Sequence, residues 1–101
     1  MQAAVYYGPR DIRVEDVPMP ELAEDELLIR IKACGICGSD LHLYRFEMFE
    51  ALGRRIDNGR IMGHELSGVV VAVGPKVTGF RVGNRLAGVG VGGFAEYTWR
   101  R

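Results

Sequence analysis

Leu27-Leu-Ile-Arg-Ile-Lys-Ala-Cys-Gly-Ile-Cys-Gly-Ser-Asp-Leu-His42 is the stretch on which the whole chain turns. In its first half Leu27, Ile29, Ile31 and Ala33 alternate with Arg30 and Lys32, the period of a strand with one apolar face. In its second half the strand delivers the chain into a run of groups that can do chemistry. That run is answered some twenty residues later by Gly63-His64-Glu65. Between them the two segments hold both cysteines and both histidines of the chain.

Working outward, residues 3–7 and 12–17 read as strands joined by the turn Gly8-Pro9-Arg10-Asp11. Pro18 and Pro20, which have no N–H to donate, end that pairing, and the acidic residues 21–26 form a solvated connection. On the other side, Ser39 suits the N-cap of a helix over residues 39–52, with Leu41, Tyr44, Met48 and Leu52 as a core-packing stripe and Gly53 as its stop. Residues 54–60 form a polar loop with an Asn58-Gly59 turn. Residues 66–73 are a strand whose Val69-Val-Val-Ala-Val73 run predicts burial on both faces. Gly74-Pro75-Lys76 turns it, Phe80 and Val82 pack back, and residues 84–88 and 94–99 are two further strands. Fourteen glycines, about twice the usual ~7%, punctuate these short runs and predict a mostly β fold with one short helix.

Composition narrows the possible partners. The chain has 101 residues, 48% of them hydrophobic, enough for one core and one domain over residues 1–101. Thirteen basic side chains balance thirteen acidic ones, so there is no concentrated basic field for nucleic acid or an anionic membrane surface. No window approaches the ~20 apolar residues of a membrane helix. Two cysteines make no disulfide scaffold and the amino terminus has no apolar signal segment, so the expected setting is the reducing cytoplasm.

Zinc prefers thiolate and imidazole, and a catalytic site uses three protein ligands. Cys37 and His64 could supply two, with Glu65 a third ligand or a group just behind them. Asp40 is placed to accept the second ring N–H of His64 and fix its tautomer. A competing reading takes Cys34-Gly-Ile-Cys37 as a thiol–disulfide redox pair at a helix start. It leaves His64, Glu65 and Ser39-x-x-His42 without a role, and the chain lacks the alternating strands and helices of a redox α/β domain. A structural zinc ribbon would need a second cysteine pair.

Four blocks carry a specific resemblance: Lys32-Ala-Cys-Gly-Ile-Cys-Gly-Ser-Asp-Leu-His42, Met62-Gly-His-Glu-Leu-Ser-Gly-Val-Val70, Val73-Gly-Pro-Lys-Val-Thr-Gly-Phe-Arg-Val-Gly-Asn-Arg85 and Gly92-Gly-Phe-Ala-Glu-Tyr97. In this order they resemble the catalytic domain of zinc-dependent medium-chain alcohol and polyol dehydrogenases. The resemblance implies a GroES-like, partly open β-barrel, with Cys37 and His64 as catalytic zinc ligands, Glu65 as a carboxylate at the metal and Asp40 as the partner of His64. It implies that Ser39 takes the proton of a small alcohol or polyol and passes it through His42 toward solvent, while hydride goes to NAD(P). Cys34 has no part in that scheme and is expected to be a packed small residue.

The resemblance is incomplete. Family enzymes carry a four-cysteine lobe that holds a structural zinc where this chain has only Ala87-Gly-Val-Gly-Val91. Their third catalytic ligand and nucleotide-binding domain lie beyond that lobe. No glycine cluster here makes a phosphate-binding fingerprint, so the expectation is a shortened domain, a deletion more than a simple truncation, that holds zinc weakly and is inactive alone. The alternative is a noncatalytic barrel that works by self-association as a homo-oligomer through surface left exposed.

Overall fold

The computed structural model describes residues 1–45 and 59–100. A hairpin opens the chain: β1 (Gln2–Gly8) pairs antiparallel with β2 (Asp11–Asp16), from Gln2 opposite Asp16 to Gly8 opposite Asp11. β3 (Leu27–Gly35) leads into the helix α1 (Gly38–Arg45). The two-residue β4 (Arg60–Ile61), β5 (Glu65–Val73), β6 (Arg85–Val89) and β7 (Tyr97–Arg100) follow. They form a three-stranded sheet in the order β2-β1-β4 and a four-stranded sheet in the order β6-β5-β3-β7.

Residues 90–96 stitch the two sheets together. Gly93 and Phe94 donate their N–H groups to the carbonyls of Gly63 and Met62, and Ala4 donates to Phe94. Ala95 bridges Ala3, and Ile31 of the second sheet donates to Glu96. The expected final strand is thus split: its first half crosses between sheets, a way corners are turned in β structures, and only its second half pairs with β3. The result is the mostly β, partly open barrel with one short helix among the described residues.

The core fills the side where β3 and β5 run together. Leu27, Ile29 and Val70 are its centre, with Ile31, Val73, Val77 and Leu86 packed around them. Ile29 and Val70 are 0% exposed, a burial worth about 1.5–3 kcal/mol for each side chain.

Several expectations are corrected. Strand β4 lies where a loop was expected, because two residues are too short to show a period. Gly59 just before it has φ +73, and a Cβ there would stand 2.5 Å from Val5 Cγ1, so the turn needs glycine on both counts. Phe80 and Val82 are exposed, as are Leu41 and Tyr44 of the supposed core stripe; Met48, Leu52 and the rest of the predicted helix lie outside the described residues. β5 is only half-buried at Val69 and Val71, because its second face has no full layer over it.

The helix begins two residues earlier than Ser39 as its cap would have it. Cys37 occupies the cap, and the Asp40 carboxylate accepts its N–H at 3.0 Å, the reach-back half of a capping box. At the other end Tyr6 donates its hydroxyl to the Leu43 carbonyl at 2.7 Å, and Arg10 donates its N–H to the Tyr44 carbonyl at 2.9 Å. Carbonyls that no helix can satisfy internally are thereby met by the hairpin.

Candidate metal centre and its cavity

The site lies at the far end of the β3–β5 ladder and depends on its register. Ile31 faces Gly68 but Ala33 faces Ser67, so Lys32 is an extra residue on β3. Such a bulge exchanges the two faces of a strand. Beyond it Ala33, predicted inward, is exposed, while Cys34 faces Leu66 on the buried side. Gly35 then faces Glu65, and the missing side chain leaves room for the carboxylate: a Cβ at Gly35 would lie 3.2 Å from Glu65 Oε2.

Cys37 at the helix cap, His64 just before β5 and Glu65 at its start converge. One donor atom from each lies within 4.8 Å of the other two. Asp40 stands behind them, only 7% exposed. Its Oδ2 holds the Cys37 N–H, and its Oδ1 lies 3.8 Å from His64 Nδ1. That second distance is electrostatic contact and longer than a hydrogen bond. A single carboxylate thus stands against both the backbone of the cysteine and the ring of the histidine.

The donor set fits zinc. Thiolate, imidazole and carboxylate are its ordinary ligands, and donors already this close need only a modest contraction to surround one ion. A cavity of about 510 Å³ opens beside them, lined among others by Ser39, His64, Arg60 and Trp99. Ser39 is exposed at its wall; His42, three residues along the same helix, is exposed and lies outside the lining.

Cys34 points elsewhere. A Cβ on Gly63, whose φ is +94, would stand 2.9 Å from its Sγ, and one on Gly93 would stand 2.6 Å away, so the thiol is packed under two glycines. Burial pushes its pKa up, and the charge of Asp40 adds to the effect. A raised pKa is the opposite of what an attacking thiol needs, which counts against the redox reading.

Arg60 and Trp99 escaped the sequence reading because neither belongs to a motif. Only the fold, by bringing β4 and β7 to one cavity, gives them a place.

Residues 23–101 match the alcohol dehydrogenase GroES-like domain. The chain belongs to this family. It is 48% identical over 85 residues to a sorbitol dehydrogenase of Bombyx mori, covering 84% of this chain and 24% of that protein. The fold superposes on 2R,3R-butanediol dehydrogenase from Bacillus subtilis with a TM-score of 0.80 at 31% identity, covering 97% of this chain and 37% of that one. Galactitol-1-phosphate dehydrogenase from Escherichia coli gives a TM-score of 0.82 at 25% identity, with 100% and 36% covered. The chain therefore spans about a quarter of the curated relative's length. The family is one of oxidoreductases for which zinc and NAD(P) are expected. No helix of the described residues is long and apolar enough to cross a membrane.

Proposed function

We propose that these residues are the substrate and catalytic-zinc side of an NAD(P)-dependent alcohol or polyol dehydrogenase. The observation that carries this reading is the convergence of Cys37, His64 and Glu65 within 4.8 Å around the buried Asp40. Those three side chains would hold the metal. When bound, zinc supplies Lewis-acid polarisation of a hydroxyl oxygen.

The chain's own residues do the rest. Ser39 Oγ, at the cavity wall, accepts the proton of the substrate hydroxyl. His42, at i+3 on the same helix face and open to solvent, takes it onward to water. Asp40 keeps Cys37 and His64 aimed by its two oxygens. Among the described residues no glycine-rich turn joins a strand to a helix as a nicotinamide site requires. Binding and orienting substrate and metal is the part of the reaction that these residues would supply. Both cysteines are free thiols, in keeping with a reducing, cytoplasmic setting.

Zinc content per chain, measured after purification without chelator, tests the reading. Zinc held by the unsubstituted chain, weakly and below one equivalent, and lost in both Cys37→Ser and His64→Ala is the expected result. A zinc-free chain that runs as a ring or dimer would replace this reading with self-association, which needs none of Ser39, Asp40, His42, His64 or Glu65.

A further inference from the structure

The cavity beside His64 does not end at Trp99. A second hollow of about 650 Å³ shares Arg60, Ile61, Val91, Gly92 and Trp99 with it, so the two adjoin along that wall as the halves of a trench. The trench runs from the candidate metal ligands past Arg60 toward Glu15 and Glu21. A small neutral alcohol would occupy only its first part.

Charge along the trench is uneven. Among the described residues Arg60 is the one arginine or lysine lining the half beside His64, and it is exposed there. Its side chain has no hydrogen bond or ion pair with any described residue, including Glu15 and Glu21 in the other half. Glu15 is instead held by the Tyr7 hydroxyl at 2.7 Å. The one acidic side chain among the described residues on Arg60's half, Asp40, is buried and stands against Cys37 and His64. A guanidinium with no partner among the described residues, between a polar reaction end and an acidic far end, is suited to receive an anion that stops at the junction. Trp99, 39% exposed, supplies a flat wall beside it.

We propose that Arg60 is a specificity-determining residue: it binds the anionic end, carboxylate or phosphate monoester, of a substrate whose hydroxyl reaches the His64 end of the trench. This rests on the dehydrogenase reading above, whose substrate class it narrows from any small alcohol or polyol to an anion-bearing one.

Trp99 is the chain's one tryptophan and lines both halves of the trench, so its emission reports occupancy directly. The protein, with and without one equivalent of zinc, is titrated with glycerol 1-phosphate, glycerate, glycerol and inorganic phosphate. The expected result is a saturable change with glycerol 1-phosphate or glycerate, the tighter of the two naming the anion, and binding of glycerol weaker by about tenfold or more. Arg60→Gln loses about tenfold or more of the anion's affinity, and Arg60→Lys keeps part of it.

Anions bound equally well by a folded Arg60→Gln, or no more tightly than glycerol, would overturn the proposal. Should Arg60→Gln not fold, ionic strength decides on the unsubstituted protein. Salt must weaken the anions and leave glycerol unchanged; equal behaviour overturns the proposal. Inorganic phosphate binding as tightly as glycerol 1-phosphate would also overturn it, since the trench would then read no organic tail. Failure of the dehydrogenase reading shows separately, as absent zinc with intact anion binding.

Discussion

The two ends of the β3–β5 ladder are built from the same pair of strands and do opposite things. At one end Leu27 and Ile29 meet Val73 and Val70 in a wholly apolar contact. At the other, Gly35 meets Glu65, and the chain on either side supplies Cys37 and His64. Val71 of β5 is an extra residue within the aliphatic end, and one extra residue of β3, Lys32, separates that end from the polar one. The aliphatic end gives the strands a fixed register, and the bulge converts that register into the aim of polar side chains. A one-residue change of register flips every side chain to the other face, so the placement of the site is a product of the core's packing.

The largest effect should come from breaking the aliphatic end. Ile29→Ala removes a side chain that is 0% exposed, and is expected to lower unfolding free energy by about 2–4 kcal/mol. A shifted urea midpoint with unchanged slope reads this directly. In the fraction that stays folded the register is kept, and zinc affinity should be close to that of the unsubstituted chain, because the bulge at Lys32 lies between the void left at Ile29 and the ligands. A large loss of zinc affinity in folded Ile29→Ala would show that the two ends are one mechanical unit.

Asp40→Asn attacks the other end with the opposite profile. The amide oxygen still accepts the Cys37 N–H, but the negative charge 3.8 Å from His64 Nδ1 is gone. Zinc affinity should fall about 10–100-fold, the usual effect of removing an orienting partner, while stability changes by no more than about 1 kcal/mol. Competition with a chromophoric chelator measures the first and urea unfolding the second. An unaltered zinc affinity would mean that Asp40 is there to cap the helix and nothing more.

Much of this was legible in the sequence, and the parts that were not have identifiable causes. The hairpin, β3, β5 and the Gly74-Pro75-Lys76 turn follow from period two and turn chemistry. The cluster of Cys37, His64 and Glu65 could be named from ligand types, yet its closure depends on a bulge at Lys32 that no local pattern announces. Alternation carried one residue too far, to Ala33, is the visible mark of that bulge. Cys37, a residue seldom chosen as a helix cap, takes the place that Ser39 would have filled because Asp40 reaches back to its N–H. Phe80 and Val82 read as core from hydrophobicity alone, but the described strands leave them uncovered. Arg60 and Trp99 share a cavity only because two short strands from different sheets end beside each other, a non-local fact.

The smallest effect concerns how the hairpin sheet is tied to the site. Tyr6, 1% exposed on β1, donates its hydroxyl to the carbonyl of Leu43 and so holds the helix that carries Ser39, Asp40 and His42. Tyr6→Phe should lower stability by about 1 kcal/mol, the usual net value of one hydrogen bond. Burial also raises the Tyr6 pKa above its ordinary value of 10.0. Below pH 10 both folded and unfolded chains keep the phenol protonated and its contribution is whole. As pH rises past 10 the unfolded chain gives up its proton first, so unfolding is favoured and the contribution is lost on the way to the folded-state pKa. Melting temperature should therefore be lower at about pH 10.5 than at about pH 8, with a smaller difference in Tyr6→Phe. Some decline remains, because Tyr7 is also raised, first by its hydrogen bond to Glu15. Parallel declines in the two proteins would show that the Tyr6 hydroxyl does not resist ionisation and that the helix is held by packing and the Arg10 bond alone. If instead the difference is found and zinc affinity stays unchanged, the site draws its geometry from the β3–β5 ladder, and the hairpin sheet only steadies the helix that completes it.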